Sequence, residues 1–251
     1  MSTQGTPSRR ASITDQGRAL RRLLVVDPDR LVRRQVRGAC EEDGYQVLEA
    51  AGRAAALARF YEDTPSVVLL ESILPDASGL EVCRELRDLD DRVGIILLSS
   101  NPDEVEAVVA LELGADDYIV KPVRLRELVA RVGATLRRVR MSASDTRGGR
   151  LEFKNLAIDI DERRVTRGGR EVTLTHTEFD LLVLLAHNAG RALTREAILE
   201  SVWSYEPPIE IETRVIDVHV RNLRKKIEDE PSRPLFILAV PGIGYRFTNA
   251  R

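Results

Sequence analysis

The sequence predicts an α/β chain in two parts: a five-stranded parallel sheet wound with helices on both faces, then a smaller α+β unit ending in a β-hairpin. Three observations predict it. Short β-branched apolar runs alternate five times with stretches of helical spacing between residues 23 and 138, the pattern of a parallel sheet buried on both faces. The segment MSASDTRGGR, residues 141–150, then offers nothing to bury, as a linker does. Beyond it the order changes to strands, three helices and two last strands around PGIG, which reads as a terminal hairpin.

Taken in order, a strand at 23–26 ends at Asp27, and a helix at 31–42 closes before Gly44. Strands at 46–49, 66–70, 94–98 and 118–120 then alternate with helices at 54–62, 79–89, 102–112 and 125–138. In the second part, LEFKNLAIDI and RRVTRGGREVTLT alternate as strands, the latter turning at Gly168-Gly169; helices follow at 177–189, 194–201 and 213–228, and strands at 235–240 and 245–248. That set of elements makes a winged helix. The expected organisation is a leader at 1–20, an α/β domain at 21–140, a linker at 141–150 and a winged-helix domain at 151–251.

Composition narrows the function. At 251 residues there is room for two cores, and 43% hydrophobic with 31% charged residues is the balance of a globular protein. No run approaches the roughly 20 apolar residues of a membrane span, and the first twenty residues lack the apolar stretch of a signal peptide. Cys40 and Cys83 sit in helical segments without metal-ligand spacing, which suits core thiols in a reducing cytoplasm. No enzyme, metal or cofactor is expected: GxxxxGK(S/T) is absent, and Gly242 to Gly244 is a hairpin tip rather than a dinucleotide-binding turn. Net charge is −2, and residues 150–251 hold 16 Lys+Arg against 16 Asp+Glu. Any nucleic-acid footprint must therefore be local.

In doubly wound sheets the functional crevice lies at the carboxyl ends of the strands, which here gathers Asp27, Glu71, Ser99 and Lys121. The segments carrying them, LLVVDPD, LLESILPDASGLEVCRELR, IILLSS and LELGADDYIVKP, resemble the flavodoxin-like receiver domain of bacterial two-component response regulators across about residues 21–140. The resemblance implies a phosphoacceptor at the position of Glu71, metal-binding acids at Asp27 and Pro28, a hydroxyl at Ser99 and a lysine at Lys121. Two positions depart from it. Pro28 offers neither a side-chain ligand nor an N–H, and Glu71 carries an extra methylene, moving its carboxylate by more than about 1 Å from where an aspartate would attack. Three readings stay open: Glu71 supplies a permanent negative charge, or it pairs with Lys121 in a relic pocket, or it is itself phosphorylated.

The segment LELGADDYIVKPVRLRELVARVGATLRR is similar to the face through which the OmpR/PhoB class of these regulators forms symmetric dimers. The resemblance implies a homodimer interface of Glu112, Asp116, Asp117, Tyr118, Glu127, Arg131 and Arg138, pairing Asp117 with Arg131 and Asp116 with Arg138 across the axis. Ala107 stands where a basic partner for Glu127 is usual, and Val123 replaces a Phe.

The last long helix, TRVIDVHVRNLRKKIED, carries a basic stripe with Asp217 its lone acid before the end. Ile216, Val220, Leu223 and Ile227 recur on one face for the core, while Arg214, Val218, Arg221 and Lys225 recur on another. A helix of this kind fits the major groove, where Arg reads guanine and Asn adenine. With TLTHTEFDLLVLLAHNAGRALTREAILESVW and VPGIGYRF, it resembles the OmpR/PhoB effector domain, a winged helix-turn-helix. The resemblance implies double-stranded DNA as partner and Arg214, Val215, His219, Arg221, Asn222, Arg224, Lys225 and, on the wing, Arg246 as contacts; the loop SYEPPIEIE implies RNA polymerase. Trp203 reads as a cap on the small core. The expected function is a sequence-specific transcription regulator, phosphorylation-independent and dimerising through the receiver. The alternatives are a conventional two-component regulator that keeps a phosphate or metal response, and a receiver-mediated interaction protein.

Overall fold

A computed structural model describes residues 21–141, 149–203 and 210–248. The expected leader, all but the ends of the linker, and residues 204–209 of the loop assigned to RNA polymerase lie outside the described residues.

The N-terminal unit is laid down as β1 (Arg22–Val26), α1 (Arg30–Glu42), β2 (Gln46–Ala50), α2 (Arg53–Asp63), β3 (Val67–Glu71), α3 (Gly79–Leu89), β4 (Gly94–Ser99), α4 (Glu104–Glu112), β5 (Asp117–Val120) and α5 (Leu125–Met141). The strands form one parallel sheet in the order β2-β1-β3-β4-β5. Alternation along β1 decides the layers: Leu23 and Val25 face the cluster with α1 and α5, Leu24 and Val26 the cluster with α2, α3 and α4. Burying each such side chain stabilises the fold by roughly 1.5–3 kcal/mol. Caps set the helix starts. Asp103, whose carboxylate accepts the Val105 N–H at 2.9 Å, begins α4 two residues after the expected start at Pro102. At the start of α3 only glycine fits, since a Cβ on Gly79 would stand 2.1 Å from the Glu71 carbonyl oxygen.

The C-terminal unit opens with an antiparallel sheet, β6 (Arg150–Phe153), β7 (Leu156–Asp159), β8 (Arg164–Arg167) and β9 (Arg170–Val172). Gly168 and Gly169, at φ 54° and 78°, make the expected turn between the last two. Then come α6 (His176–His187), β10 (Ala192–Thr194), α7 (Arg195–Trp203), α8 (Glu210–Ile227), β11 (Ile237–Val240) and β12 (Gly244–Phe247). The sequence reading missed β10. It is three residues long, without a pattern of its own, and exists by pairing with β12 in the sheet β10-β12-β11. Thr175 and Glu178 form a capping box on α6, and buried Glu228 accepts the N–H groups of Leu235, Phe236 and Ile237 at 2.8–3.0 Å, tying α8 to the wing.

The two units pack closely, with α8 against α4, and α6 and α7 against α5. The core on the α2–α4 side continues without a break into the C-terminal unit. Among the described residues, no helix is long and apolar enough to cross a membrane.

Candidate regulatory pocket and nucleic-acid interface

The carboxyl ends of β1, β3, β4 and β5 bring Asp27, Glu71, Ser99 and Lys121 together, as the strand order requires. Lys121 is the hub. Its Nζ donates to Asp27 Oδ2 at 2.6 Å and to Glu71 Oε2, while Asp27 Oδ1 accepts the Asp29 N–H at 2.8 Å. Burial pulls the Lys121 ammonium down, but the hydrogen bonds and charges of Asp27 and Glu71 outweigh it and hold the pKa above the ordinary lysine value. Beside this triad, the Ser72 hydroxyl donates to Ser99 Oγ at 2.9 Å, and Ser99 in turn donates to Glu106 Oε1 at 2.8 Å. Pro28 points to solvent, and its carbonyl, like that of Asp27, accepts from the Arg33 guanidinium.

These donors do not fit the Mg²⁺ that the family resemblance implies. Mg²⁺ demands a near-octahedral set of oxygens, whereas both carboxylates are committed to an ammonium and Pro28 removes a third ligand. Among the described residues no group of three His, Cys, Asp or Glu is placed to hold a metal. The cysteines are equally committed to packing: burial pushes Cys40 and Cys83 up to about 12, far from a reactive thiolate.

The described residues expected at a dimer interface are engaged within one chain. Arg131, on α5 beside β5, pairs with Asp117 at 3.1 Å and with Glu127 at 2.8 Å, one turn away. The expected cross-dimer partner of Arg131 is therefore met internally, because neighbouring elements of one protomer already bring the two charges together. The expected partner Arg138 has its side chain outside the described residues; within them, Asp116 is well engaged. Its carboxylate takes Arg87 at 2.9 Å, the Ile95 N–H at 2.9 Å and the Thr177 hydroxyl at 2.7 Å, and its carbonyl accepts the Trp203 indole N–H at 3.2 Å. Thr177 and Trp203 belong to the C-terminal unit, which thus covers this face. Tyr118 is buried, its hydroxyl donating to the Asn101 carbonyl at 2.9 Å.

On α8 the expected division of faces holds for the core: Ile216, Val220, Leu223 and Ile227 are fully buried. The opposite stripe lies on α4. Arg214 pairs with Glu104, Arg221 pairs with Glu112, Lys225 stands 3.9 Å from Glu112, and the Asn222 amide donates to the Leu111 carbonyl at 3.2 Å. Between the charges, Val215 and Val218 meet Ala107, Val108 and Leu111. An arginine at 107 would fill this seam, so the small side chain is what lets the helices approach.

Three expected DNA contacts are placed elsewhere. His219 is 2% exposed with its ring 5.4 Å from that of Trp203; it packs in the core because it falls on the side of α8 that faces α7. Val215 is equally buried, inside the α4 seam. Arg224 reaches inward as well, donating to the Ile237 carbonyl at 2.8 and 3.0 Å, which steadies the wing. Arg246, on β12, is exposed. Asp217 ties α8 to Arg195 at 3.0 Å and to the Tyr245 hydroxyl at 2.8 Å, and burial together with Asp217 pushes that hydroxyl up to about 12. Sequence reading missed Glu104 and Glu106, although an acidic first turn on α4 in a chain that carries a basic helix was a readable signal.

Comparison with known proteins accounts for both units. A family model described as response regulator receiver domain matches residues 23–133, and one described as transcriptional regulatory protein, C terminal, matches residues 169–247. The chain is 41% identical over 232 residues to a probable transcriptional regulator, ycf27, of Cyanophora paradoxa, covering 91% of this chain and 97% of that protein. It is 40% identical over 225 residues to the DNA-binding response regulator MtrA of Mycobacterium tuberculosis, covering 90% and 96%. Among solved structures, a mutant of RitR aligns with a TM-score of 0.68 at 30% identity, covering 91% of this chain and 99% of that one. A receiver sheet and a winged helix in the same order, shared with such relatives along nine-tenths of the chain, establish that it belongs to the DNA-binding response regulators, with a receiver domain followed by a transcriptional regulatory C-terminal domain.

Proposed function

We propose that this chain is a sequence-specific, DNA-binding transcription regulator that works without phosphorylation and rests with its reading helix folded back on its receiver. One observation carries the reading: Arg214, Arg221 and Lys225, the cations a DNA backbone would take, are held by the α4 carboxylates Glu104 and Glu112. These carboxylates stand where phosphates would stand, so DNA and α4 compete for one surface. Exposed ion pairs contribute only about 0–1 kcal/mol each. The clasp is therefore weak enough for DNA, with its dense charge, to displace.

Phosphorylation independence rests on the pocket. Lys121 already neutralises one of the two carboxylates, and with Pro28 in place of an acid the donor set does not suit the Mg²⁺ that would offset the charge of an incoming phosphoryl group. Dimerisation through α4, β5 and α5 requires the C-terminal unit to leave that face first, so release exposes the reader and the dimer surface together, and paired readers address two half-sites. The domain limits are 21–140 and 151–251, with the segment 204–212 as a surface for RNA polymerase.

Selection of bound duplexes from a random pool by the full chain, followed by sequencing, tests the reading. Enrichment of a repeated half-site is expected, and an unselected pool overturns it. In parallel, mass spectrometry after incubation with Mg²⁺ and acetyl phosphate is expected to find an unmodified chain. A phosphoryl adduct on Glu71 would overturn phosphorylation independence while leaving DNA reading intact.

A further inference from the structure

We infer that Glu106 is the positioning residue that couples the receiver pocket to closure of the reading helix. This rests on the proposed closed state and adds the part that holds it. The Glu106 carboxylate accepts the Ser99 hydroxyl at 2.8 Å and the Asn101 side-chain amide at 3.1 Å. Ser99 is fully buried at the carboxyl end of β4, accepts the Ser72 hydroxyl at 2.9 Å and the Asn101 N–H at 3.0 Å, and so spends its single proton on Glu106. The Asn101 carbonyl in turn accepts the Tyr118 hydroxyl. The first turn of α4 is thereby bound to the pocket wall through one carboxylate.

The same helix clasps α8 from its other side. At about 100° per residue, Glu106 lies about 200° round the helix from Glu104, which with Glu112 holds Arg214 and Arg221. Rotating or sliding α4 to release Ser99 would move both clasping carboxylates and the Ala107, Val108 and Leu111 seam together, because packed helices shift as units. Among the described residues Glu106 is hydrogen-bonded to Ser99 and Asn101 rather than to α8; it acts by fixing where α4 stands.

The chain's single tryptophan reports closure directly, since Trp203 is buried with its indole N–H on the receiver's Asp116 carbonyl. In the full chain, acrylamide quenching of Trp203 and affinity for a random-sequence duplex at low salt are measured together for Glu106→Ala, Ser99→Ala, Glu106→Gln and the pair Glu104→Ala with Glu112→Ala. Glu106→Ala and Ser99→Ala, each breaking the link from one end, are expected to raise both readouts severalfold. Combining them should add nothing further, as for two ends of one bond. Glu106→Gln keeps an oxygen for the Ser99 proton and, with the Asn101 amide turned over, a second bond; it should stay near the parent. If the Glu104 and Glu112 pair raises both readouts while Glu106→Ala and Ser99→Ala leave them unchanged, the coupling is wrong and the closed state stands. If none of the variants moves either readout, the closed state falls and the coupling with it. Glu106→Gln behaving like Glu106→Ala would also overturn the hydrogen-bonded link. Ser99→Ala carries the test should Glu106→Ala fail to fold.

Discussion

The receiver pocket and the α4–α8 clasp both set cations against carboxylates, yet they do opposite work. In the pocket the Lys121 side chain is 19% exposed and its partners Asp27 and Glu71 are nearly sealed. In the clasp Arg214 and Arg221 are 56% and 61% exposed. Desolvated partners cannot be exchanged without leaving a charge stranded in the interior, whereas solvated ones are given up for a rival anion at little expense. Depth thus separates the fixed pocket from the clasp that we propose acts as a switch, although both set a cation against carboxylates.

The largest effect expected breaks the pocket side. Lys121→Met leaves Asp27 and Glu71 as buried like charges and should lower stability by about 3 kcal/mol, the low end for a broken buried pair because Lys121 is partly solvated; chemical denaturation measures it. A loss near zero would show that the triad is as exchangeable as the clasp. Next, Ala107→Arg overfills the seam between α4 and α8, and overpacking of this kind costs about 1–3 kcal/mol. The cost falls on the closed state alone, so DNA affinity should rise by about tenfold where closure dominates, with receiver stability unchanged; anisotropy with a labelled duplex reads it.

Smaller again, Glu104→Ala with Glu112→Ala removes two exposed pairs worth about 0–1 kcal/mol each. Affinity should rise by only a few fold, and the rise should shrink as salt screens the parent's clasp. The smallest effect expected is on phosphorylation: Glu71→Asp alone should leave acetyl phosphate labelling at background, since Pro28 still denies the metal a ligand. Labelling restored by that single change would show that the position of one carboxylate, and not the missing metal ligand, silences the pocket.

Much of this was legible in the residues because it is local or repeats with a period. Apolar runs such as 23–26 and 94–98 announce buried strands wherever they occur, and the strand order then forces Asp27, Glu71, Ser99 and Lys121 to one end of the sheet. The core stripe of Ile216, Val220, Leu223 and Ile227 was readable for the same reason. What periodicity could not supply was the partner of each remaining face. Asp117 and Arg131 suggest a bond between protomers equally well as the bond within one chain that they form, and His219 lies on a boundary between stripes until Trp203 decides it. Ala107 read as a missing dimer charge until α8 came to lie on it.

The sequence by itself determined the two folds, their order, and the gathering of Asp27, Glu71, Ser99 and Lys121 at one end of the parallel sheet. Only the tertiary structure decided that the basic stripe of α8 meets Glu104 and Glu112, that Trp203 donates across to Asp116, and that Glu106 joins the pocket to that contact. The physical reason is separation along the chain: a helix or strand is specified by neighbours a few residues away, whereas Arg221 and Glu112 are 109 positions apart, and charges that far apart find each other only when packing has brought their elements together.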